Sequence, residues 1–519
     1  MKDKLYNCCN CGHHGGVPRR SFLAAMGGSA MGGAMLTGCA TTGATKRPAL
    51  HARPVYEKKE LVIQPVFHYH IPTRRNQTSW RGWGGIHNEQ DVANEVEKIR
   101  GELAALVEEA EFPIKVLPIE KVNNGEKAAA VAKTKADLML IYAATGGTGD
   151  LEAMIKPERH NIVFVRHQSG PVYLWYEIVS PRLLRKTVDE LGQPGLLPFD
   201  VVVDCQDDLL WRFRSLYALK NTLGCKIVAI GDASGWGQGG QKAPQIARDL
   251  WKLNIIPVDY KEVGERIVAA RADAALVKKA TAEAREYLRQ GGVKLNTDAG
   301  FVERAFLLTE VFRDVMGEAG AQALTINHCM GTIMPLSETT ACLPLSLIND
   351  EGGMAFCESD FVVIPSGILL HHICGLPVFL QDPTYPHHGI VTVAHCTAPR
   401  RMDGKNLEPV NILTHYESDY GAAPKVDMKL GQTITVIDPD FGAKKWFGFR
   451  GNVVANPFMD ICRSQCDISI EGDCDRLARE MVGFHWMLAY GDHRKELGYA
   501  LGKVGIEWVD LTEEKLKRG

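Results

Sequence analysis

Glu358, Asp382 and His395 each stand at the end of a short apolar run. Residues 353–357, 377–381 and 390–394 form those runs. Read as parallel strands, they deliver two carboxylates and an imidazole to the carboxyl edge of one sheet. That edge is where open α/β sheets bind ligands. Phe361 to Cys374 reads as a helix with Pro365 in its first turn and Gly375 ending it, and Pro377 to Gln381 as the next strand. The segment then forms a βαβ unit, whose right-handed crossover returns the second strand to the same sheet. Neighbouring strands lie about 4.8 Å apart, and two carboxylates that close repel unless a cation or a shared proton intervenes. Oxygen donors with imidazole suit Mn²⁺ or Mg²⁺ better than zinc. The plainer reading has Glu358 capping the helix, Asp382 opening a turn before Pro383, and His395 as a satisfied core histidine. His485, in Gly483-Phe484-His485-Trp486, carries a weaker local signal.

The chain that must position these residues has 519 residues, 45% hydrophobic and 23% charged, with a formal net charge of −3. That length implies two or three domains. Without a basic run, nucleic acid is not an expected partner. Pro18-Arg19-Arg20-Ser21-Phe22-Leu23 has the form of a twin-arginine export motif. The glycine-interrupted apolar run to Gly38 is short for a membrane span. It ends in Leu36-Thr37-Gly38-Cys39, the form of a lipobox. The expectation is export by the twin-arginine translocase to the periplasm, with Cys39 a candidate lipid anchor. Cys8, Cys9, Cys11, His13 and His14 would leave with the signal.

Ten cysteines follow Cys39. Cys225, Cys342, Cys374 and Cys396 fall in apolar patterns and are expected as buried free thiols. Cys462, Cys466 and Cys474 cluster in sequence, but no histidine or fourth cysteine stands nearby at zinc-site spacing.

Alternating elements fill the rest. Leu61–Phe67, Ile114–Leu117 and Leu138–Tyr142 read as strands, and Asp91–Glu109 as a helix with Val92, Val96, Ile99, Leu103 and Leu106 on one face. A second set starts near Phe199, with strands at Val201–Val203, Lys226–Ile230 and Ile255–Val258. Beyond Leu413 the pattern turns β-rich, and His485 to Leu511 reads as strand, helix, strand. The fold class expected is α/β: two Rossmann-like parallel-sheet domains, then a carboxyl-terminal α/β domain with a barrel-like β-rich portion. The expected segments are a signal over 1–39, a linker over 40–58, and domains over 59–195, 196–300 and 301–519. The loop from Gly231 to Gly240 contains G-x-G-x-x-G at Gly235, Gly237 and Gly240, with Asp259 farther on. It admits a dinucleotide reading, although the first fingerprint glycine should close the strand and Gly235 stands four positions beyond Gly231. Thr145-Gly146-Gly147-Thr148-Gly149 is a similar turn.

Several motifs, taken together, resemble the L-fucose/L-arabinose isomerase superfamily. They are Cys329-Met330-Gly331, Ala341-Cys342-Leu343, Ser346 to Gly352, Cys357-Glu358-Ser359-Asp360, Val393 to Pro399, Cys462-Arg463-Ser464-Gln465, and His485 with Gly491-Asp492. The resemblance is strongest over residues 320–511 and weaker in the amino-terminal half. It implies an aldose–ketose isomerase dependent on Mn²⁺, or on Mg²⁺ or Co²⁺, working through an enediolate on a monosaccharide. Glu358 and Asp382 match the two metal carboxylates, and one of them moves the proton between C1 and C2. His485 matches the carboxyl-terminal metal histidine, and His395 a second histidine of the arabinose branch. Cys462 becomes a structural residue. The family's trimers or hexamers imply a homo-oligomer in which Trp80, Arg81 and Trp83 reach a neighbour's site; His415 and Tyr416 are further substrate-binding candidates. The chain departs from the pattern in carrying Phe484 where the fucose branch has an asparagine, in its shorter length, and in its export signal. An exported carbohydrate-binding protein or a sugar epimerase of the same fold is the alternative.

Overall fold

A computed structural model describes residues 58–80, 86–167, 176–179, 183–184 and 195–513. The twin-arginine motif, Cys39, Arg81 and Trp83 lie outside the described residues. Among the described residues, no helix is long and apolar enough to cross a membrane.

The first sheet is parallel throughout. Its strands are β1 (Leu61–His68), β2 (Ile114–Val116), β3 (Glu120–Val122), β4 (Leu138–Ala143), β5 (His160–Val165) and β6 (Val201–Val203). Their order is β2-β1-β4-β5-β6, and β3 continues the β2 side of β1. Every residue of β4 is buried, as a strand covered on both faces requires. The helix Glu89–Glu109 lays Val92, Ile99, Leu103 and Leu106 on the sheet, and Asn88 caps it by accepting from the Asp91 N–H. Val201–Val203, expected to open a second unit, instead closes this first sheet beside β5.

The second sheet is also parallel, in the order β11-β10-β7-β8. It comprises β7 (Lys226–Ile230), β8 (Asn254–Val258), β10 (Ala323–Ile326) and β11 (Met354–Cys357). Strands on both sides of residue 300 therefore share one sheet. A three-stranded sheet joins β9 (Val293–Leu295) to β14 (Val410–His415) and β15 (Tyr420–Val426).

The β-rich region closes on itself. Strands β12 (Phe379–Pro383), β13 (Ile390–His395), β16 (Thr433–Pro439), β17 (Lys445–Ala455), β18 (Ser464–Ile470) and β19 (Trp486–Tyr490) form an antiparallel six-stranded barrel, ordered β16-β19-β12-β13-β18-β17 and sealed by β16 with β17. Closure leaves these strands no free edge. An added strand, β20 (Glu507–Asp510), pairs in parallel with β17.

This arrangement overturns the βαβ expectation at the candidate site. The helix after Glu358 forms as expected: Ile364–Cys374, with Pro365 in its first turn and Gly375 left-handed at its end. However, β11 belongs to the parallel sheet and β12 to the barrel. β12 pairs antiparallel with β13 and β19. For the antiparallel pairing of β12 with β13 the physical reason lies in the connection. Only residues 384–389 separate β12 from β13, whereas a parallel crossover needs about a dozen or more.

The helix Ile364–Cys374 joins these layers. Gly367 sits where an added Cβ would come within 2.5 Å of Met487 in β19 and 2.6 Å of Phe356 in β11. Stacked Trp251 and Trp446, with centroids 5.4 Å apart, add a second contact between sheet and barrel. Replacing Gly367 with alanine raises helix propensity, yet overpacking costs more; we expect a net loss of about 1–2 kcal/mol. Denaturant unfolding checks this, and unchanged or greater stability would contradict the packing described.

Candidate metal centre

Three backbone segments converge where the parallel sheet meets the barrel. The first is the turn after β11. Glu358 and Ser359 are both left-handed, with φ of 65° and 49°, a conformation that non-glycine residues adopt at a cost. Neighbouring strands hold the turn in place. The Ser359 N–H donates to Thr325 Oγ1 at 3.1 Å, and the Ser359 carbonyl accepts from the Ser234 N–H at 3.2 Å. The second segment is the β12–β13 hairpin, in which Asp382 faces Ala394 across the ladder and so lies diagonal to His395. The third is the entry to β19, which carries His485.

The four side chains singled out by sequence meet here. Glu358 spans both histidines, with Oε1 3.4 Å from His395 Nε2 and Oε2 3.4 Å from His485 Nε2. Asp382 Oδ1 lies 3.1 Å from His485 Nε2. Donor atoms of Asp382, His395 and His485 all fall within 4.8 Å of one another. Both histidines are buried, while the Glu358 side chain is 37% exposed. Asp382 Oδ1, His395 Nε2 and His485 Nε2 are buried without a hydrogen-bond partner. Buried polar atoms left in that state are costly. A divalent cation would satisfy all three, so the donor set fits Mn²⁺ or a similar hard-to-borderline ion.

Two contributors were not recognised in the sequence. Asp360 Oδ2 pairs with His485 Nδ1 at 2.7 Å, and its Oδ1 accepts from the Val362 N–H at 3.0 Å. It thus fixes the imidazole and leaves Nε2 facing the cluster, as outer carboxylates do at metal-bound histidines. The spacing Glu358-x-Asp360 was the available signal; consecutive left-handed residues between strand and helix are what turn both carboxylates to use. The second is Trp236, whose indole Nε1–H donates to Glu358 Oε2 at 2.9 Å. Nothing in the sequence pointed from the glycine-rich loop to Glu358.

That loop belongs to the wall of the site. Ser234 bridges Asp360 in parallel, and the Trp236 N–H approaches Asp360 Oδ1 at 3.4 Å. Gly235 and Gly240 press together so closely that a Cβ on Gly235 would lie 2.3 Å from the Gly240 carbonyl oxygen. Two of the loop's N–H groups, those of Ser234 and Trp236, are directed at the Glu358 turn. Outside the cluster, Trp236 (46% exposed) and Phe484 (53% exposed) stand with ring centroids 4.9 Å apart, forming an aromatic rim.

The remaining candidates separate. His415 is buried, close enough to feel the charges of His395 and Glu358; burial lowers its pKa first and foremost. Tyr416 is partly exposed beneath the Arg463 guanidinium, 5.3 Å from its ring centroid. Trp80 is half-buried in the segment after β1, and none of the cluster contacts given above involves it.

Charge coupling within the cluster is strong. Burial alone would raise the Glu358 carboxyl, but His395 and His485 outweigh it and hold the group well below the usual carboxylate range. Burial alone would lower His485; its hydrogen bond to Asp360 and the nearby carboxylates of Asp382 and Glu358 prevail and push it up to about 11. His395 is raised in the same way, chiefly by Glu358 against burial.

The fold and geometry define an α/β protein with parallel sheets, a closed antiparallel barrel, and a carboxylate–imidazole cluster between them whose residues could hold a metal ion. No protein-family model matches the chain, and no curated protein matches it significantly.

The surrounding carboxylates raise the His485 pKa, so a metal ion bound here would displace its proton. Mn²⁺ affinity should therefore rise with pH, and calorimetry in buffers of different ionisation enthalpy should detect proton release. Without metal the sign is the reverse: a raised His485 contributes stability that is fully present below its unfolded pKa of about 6.5 and is lost as pH rises toward about 11. Asp360→Asn should weaken Mn²⁺ binding by about 10–100-fold. An unchanged affinity in that variant would remove Asp360 from the site.

Proposed function

We propose that the chain is a metal-dependent aldose–ketose isomerase acting on a monosaccharide through an enediolate. The observation that carries this reading is the meeting of Glu358, Asp382, His395 and His485 with three buried donor atoms left without hydrogen bonds. The resemblance of their motifs to the L-fucose/L-arabinose isomerases supplies the reaction type. Bound Mn²⁺, Mg²⁺ or Co²⁺ would polarise the sugar carbonyl and its neighbouring hydroxyl as a Lewis acid.

The side chains supply the rest. Glu358 is ionised and partly open to solvent, so a substrate can reach it. Its carboxylate takes the proton from C2 of the aldose and returns it at C1, while the C2 hydroxyl proton passes to the C1 oxygen, so that C2 becomes the ketose carbonyl and C1 carries the new hydroxyl. General-base action of this kind is worth roughly 10²–10⁴-fold. Trp236 orients the carboxylate through its Oε2 bond. Asp382 is the second carboxylate and shares the proton traffic. Asp360 keeps His485 turned toward the cluster. The rings of Trp236 and Phe484 offer an apolar face to the C–H face of a sugar. Phe484 in place of a polar group favours a sugar whose adjoining carbon carries little to hydrogen-bond, such as a deoxysugar. The twin-arginine motif supports a site of action outside the cytoplasmic membrane, and a homo-oligomer with its neighbour's 80–83 segment at the site belongs to the same proposal.

NMR of pentoses and deoxyhexoses incubated with the protein and Mn²⁺ in deuterated water tests the reading. Ketose formation with deuterium entering at C1 or C2 is expected for at least one sugar. Glu358→Gln should abolish turnover while leaving thermal unfolding nearly unchanged. Ligand-induced stabilisation of the protein without any exchange would instead favour a carbohydrate-binding protein, and full activity in Glu358→Gln would remove the proposed base.

A further inference from the structure

Directly behind His395 lies a second group of donors with different chemistry. Cys396 follows His395 in the chain, at the end of β13. Cys342 is the first residue of the helix Cys342–Asp350. Both thiols are buried and free, and each has its sulfur within 4.8 Å of the other and of a His415 ring nitrogen. Cys462 packs on the same cluster from the partly exposed side. Cys462 interacts with Cys396, but its sulfur is not among the donor atoms that all fall within 4.8 Å of one another. His415 is more than nine-tenths buried, and its Nδ1 has no hydrogen-bond partner.

We propose that Cys342, Cys396 and His415, completed by rotation of the adjoining Cys462 side chain, form a closed zinc site, distinct from the carboxylate–imidazole centre. The donor types decide the metal. Three thiolates and one imidazole are a tetrahedral zinc set, whereas Mn²⁺ and Mg²⁺ prefer oxygen. Zinc displaces the thiol protons, and the amino terminus of the Cys342 helix favours the resulting negative charge at that ligand. Four protein ligands leave no open position, so the role is structural. The site ties the end of β13 to β14, to the Cys342 helix and to the segment before β18. It thereby clamps the backbone that presents His395 to the neighbouring cluster. Sequence spacing conceals the set, since its members stand at 342, 396, 415 and 462.

Cobalt substitution tests this in the full reduced chain, with Cys8, Cys9, Cys11 and Cys39 changed to serine to silence the amino-terminal thiols. Co²⁺ should produce a thiolate-to-cobalt charge-transfer band that saturates at about one equivalent, and Zn²⁺ should bleach it. Cys357, whose sulfur lies within 4.8 Å of Glu358 and His395 donors, is changed to serine as well; cobalt at the first centre is then held only by carboxylates and imidazoles and gives no such band, so Glu358→Gln should retain it. Cys396→Ser and His415→Ala should lose it or bind at least tenfold more weakly. If Cys396→Ser does not fold, Cys462→Ser at the partly exposed rim is read instead and should show a weakened, shifted band. Absence of the band in the unsubstituted set, or an undiminished band in these variants, overturns the proposal. So does a disulfide between Cys396 and either Cys342 or Cys462, mapped by mass spectrometry in the protein as isolated.

Discussion

The hydrogen bond between Asp360 and His485, 2.7 Å long, is the contact on which the candidate centre depends. Its acceptor belongs to the turn leaving a parallel sheet, and its imidazole to the entry of a barrel strand. Both side chains are buried. A buried charge is tolerated only when paired and hydrogen-bonded, so neither residue can be displaced without exposing the other to that cost. The bond therefore sets the register between sheet and barrel at the place where four donors must meet.

The surrounding structure makes that bond possible. Glu358 and Ser359 are left-handed in succession, which swings the chain so that Glu358 faces the cluster while Asp360 lies beneath His485. The glycine-rich loop braces this turn through Ser234 and Trp236. Farther out, Gly367 lets a helix sit against β11 and β19 at once. The C-terminal helix Arg494–Lys503 is anchored similarly, by Tyr499 donating to the fully buried Asp200 of the first sheet at 2.7 Å. Parallel sheets and barrel thus meet through buried, directional contacts at several points.

Much of this was legible from residue types. Apolar runs located Leu61–His68, Leu138–Ala143 and Lys226–Ile230 nearly to the residue, because strands buried on both faces leave an unbroken hydrophobic signal. Helix periodicity located Glu89–Glu109. Proline and glycine bounded Ile364–Cys374. Strand pairing was less legible. Asp382 and His395 do share a sheet, but as the antiparallel hairpin that the short link over 384–389 forces; Glu358 leaves a different, parallel sheet, and Val201–Val203 joined the first sheet. Local hydrophobicity reports that a strand is buried, not which strand it lies beside.

The sequence by itself determined the chemistry available: two carboxylates and one histidine with strand-end placement, a second histidine with a weaker signal, an α/β pattern turning β-rich, and buried thiols. Tertiary structure alone decided which of these act together. It paired Asp360 with His485, brought Trp236 onto Glu358, and gathered Cys342, Cys396, His415 and Cys462 from four separate segments. The reason is physical. Donor type is a property of single residues, whereas a binding site is a set of distances, and those distances are fixed by strand order, barrel closure and backbone dihedrals that no local spacing encodes.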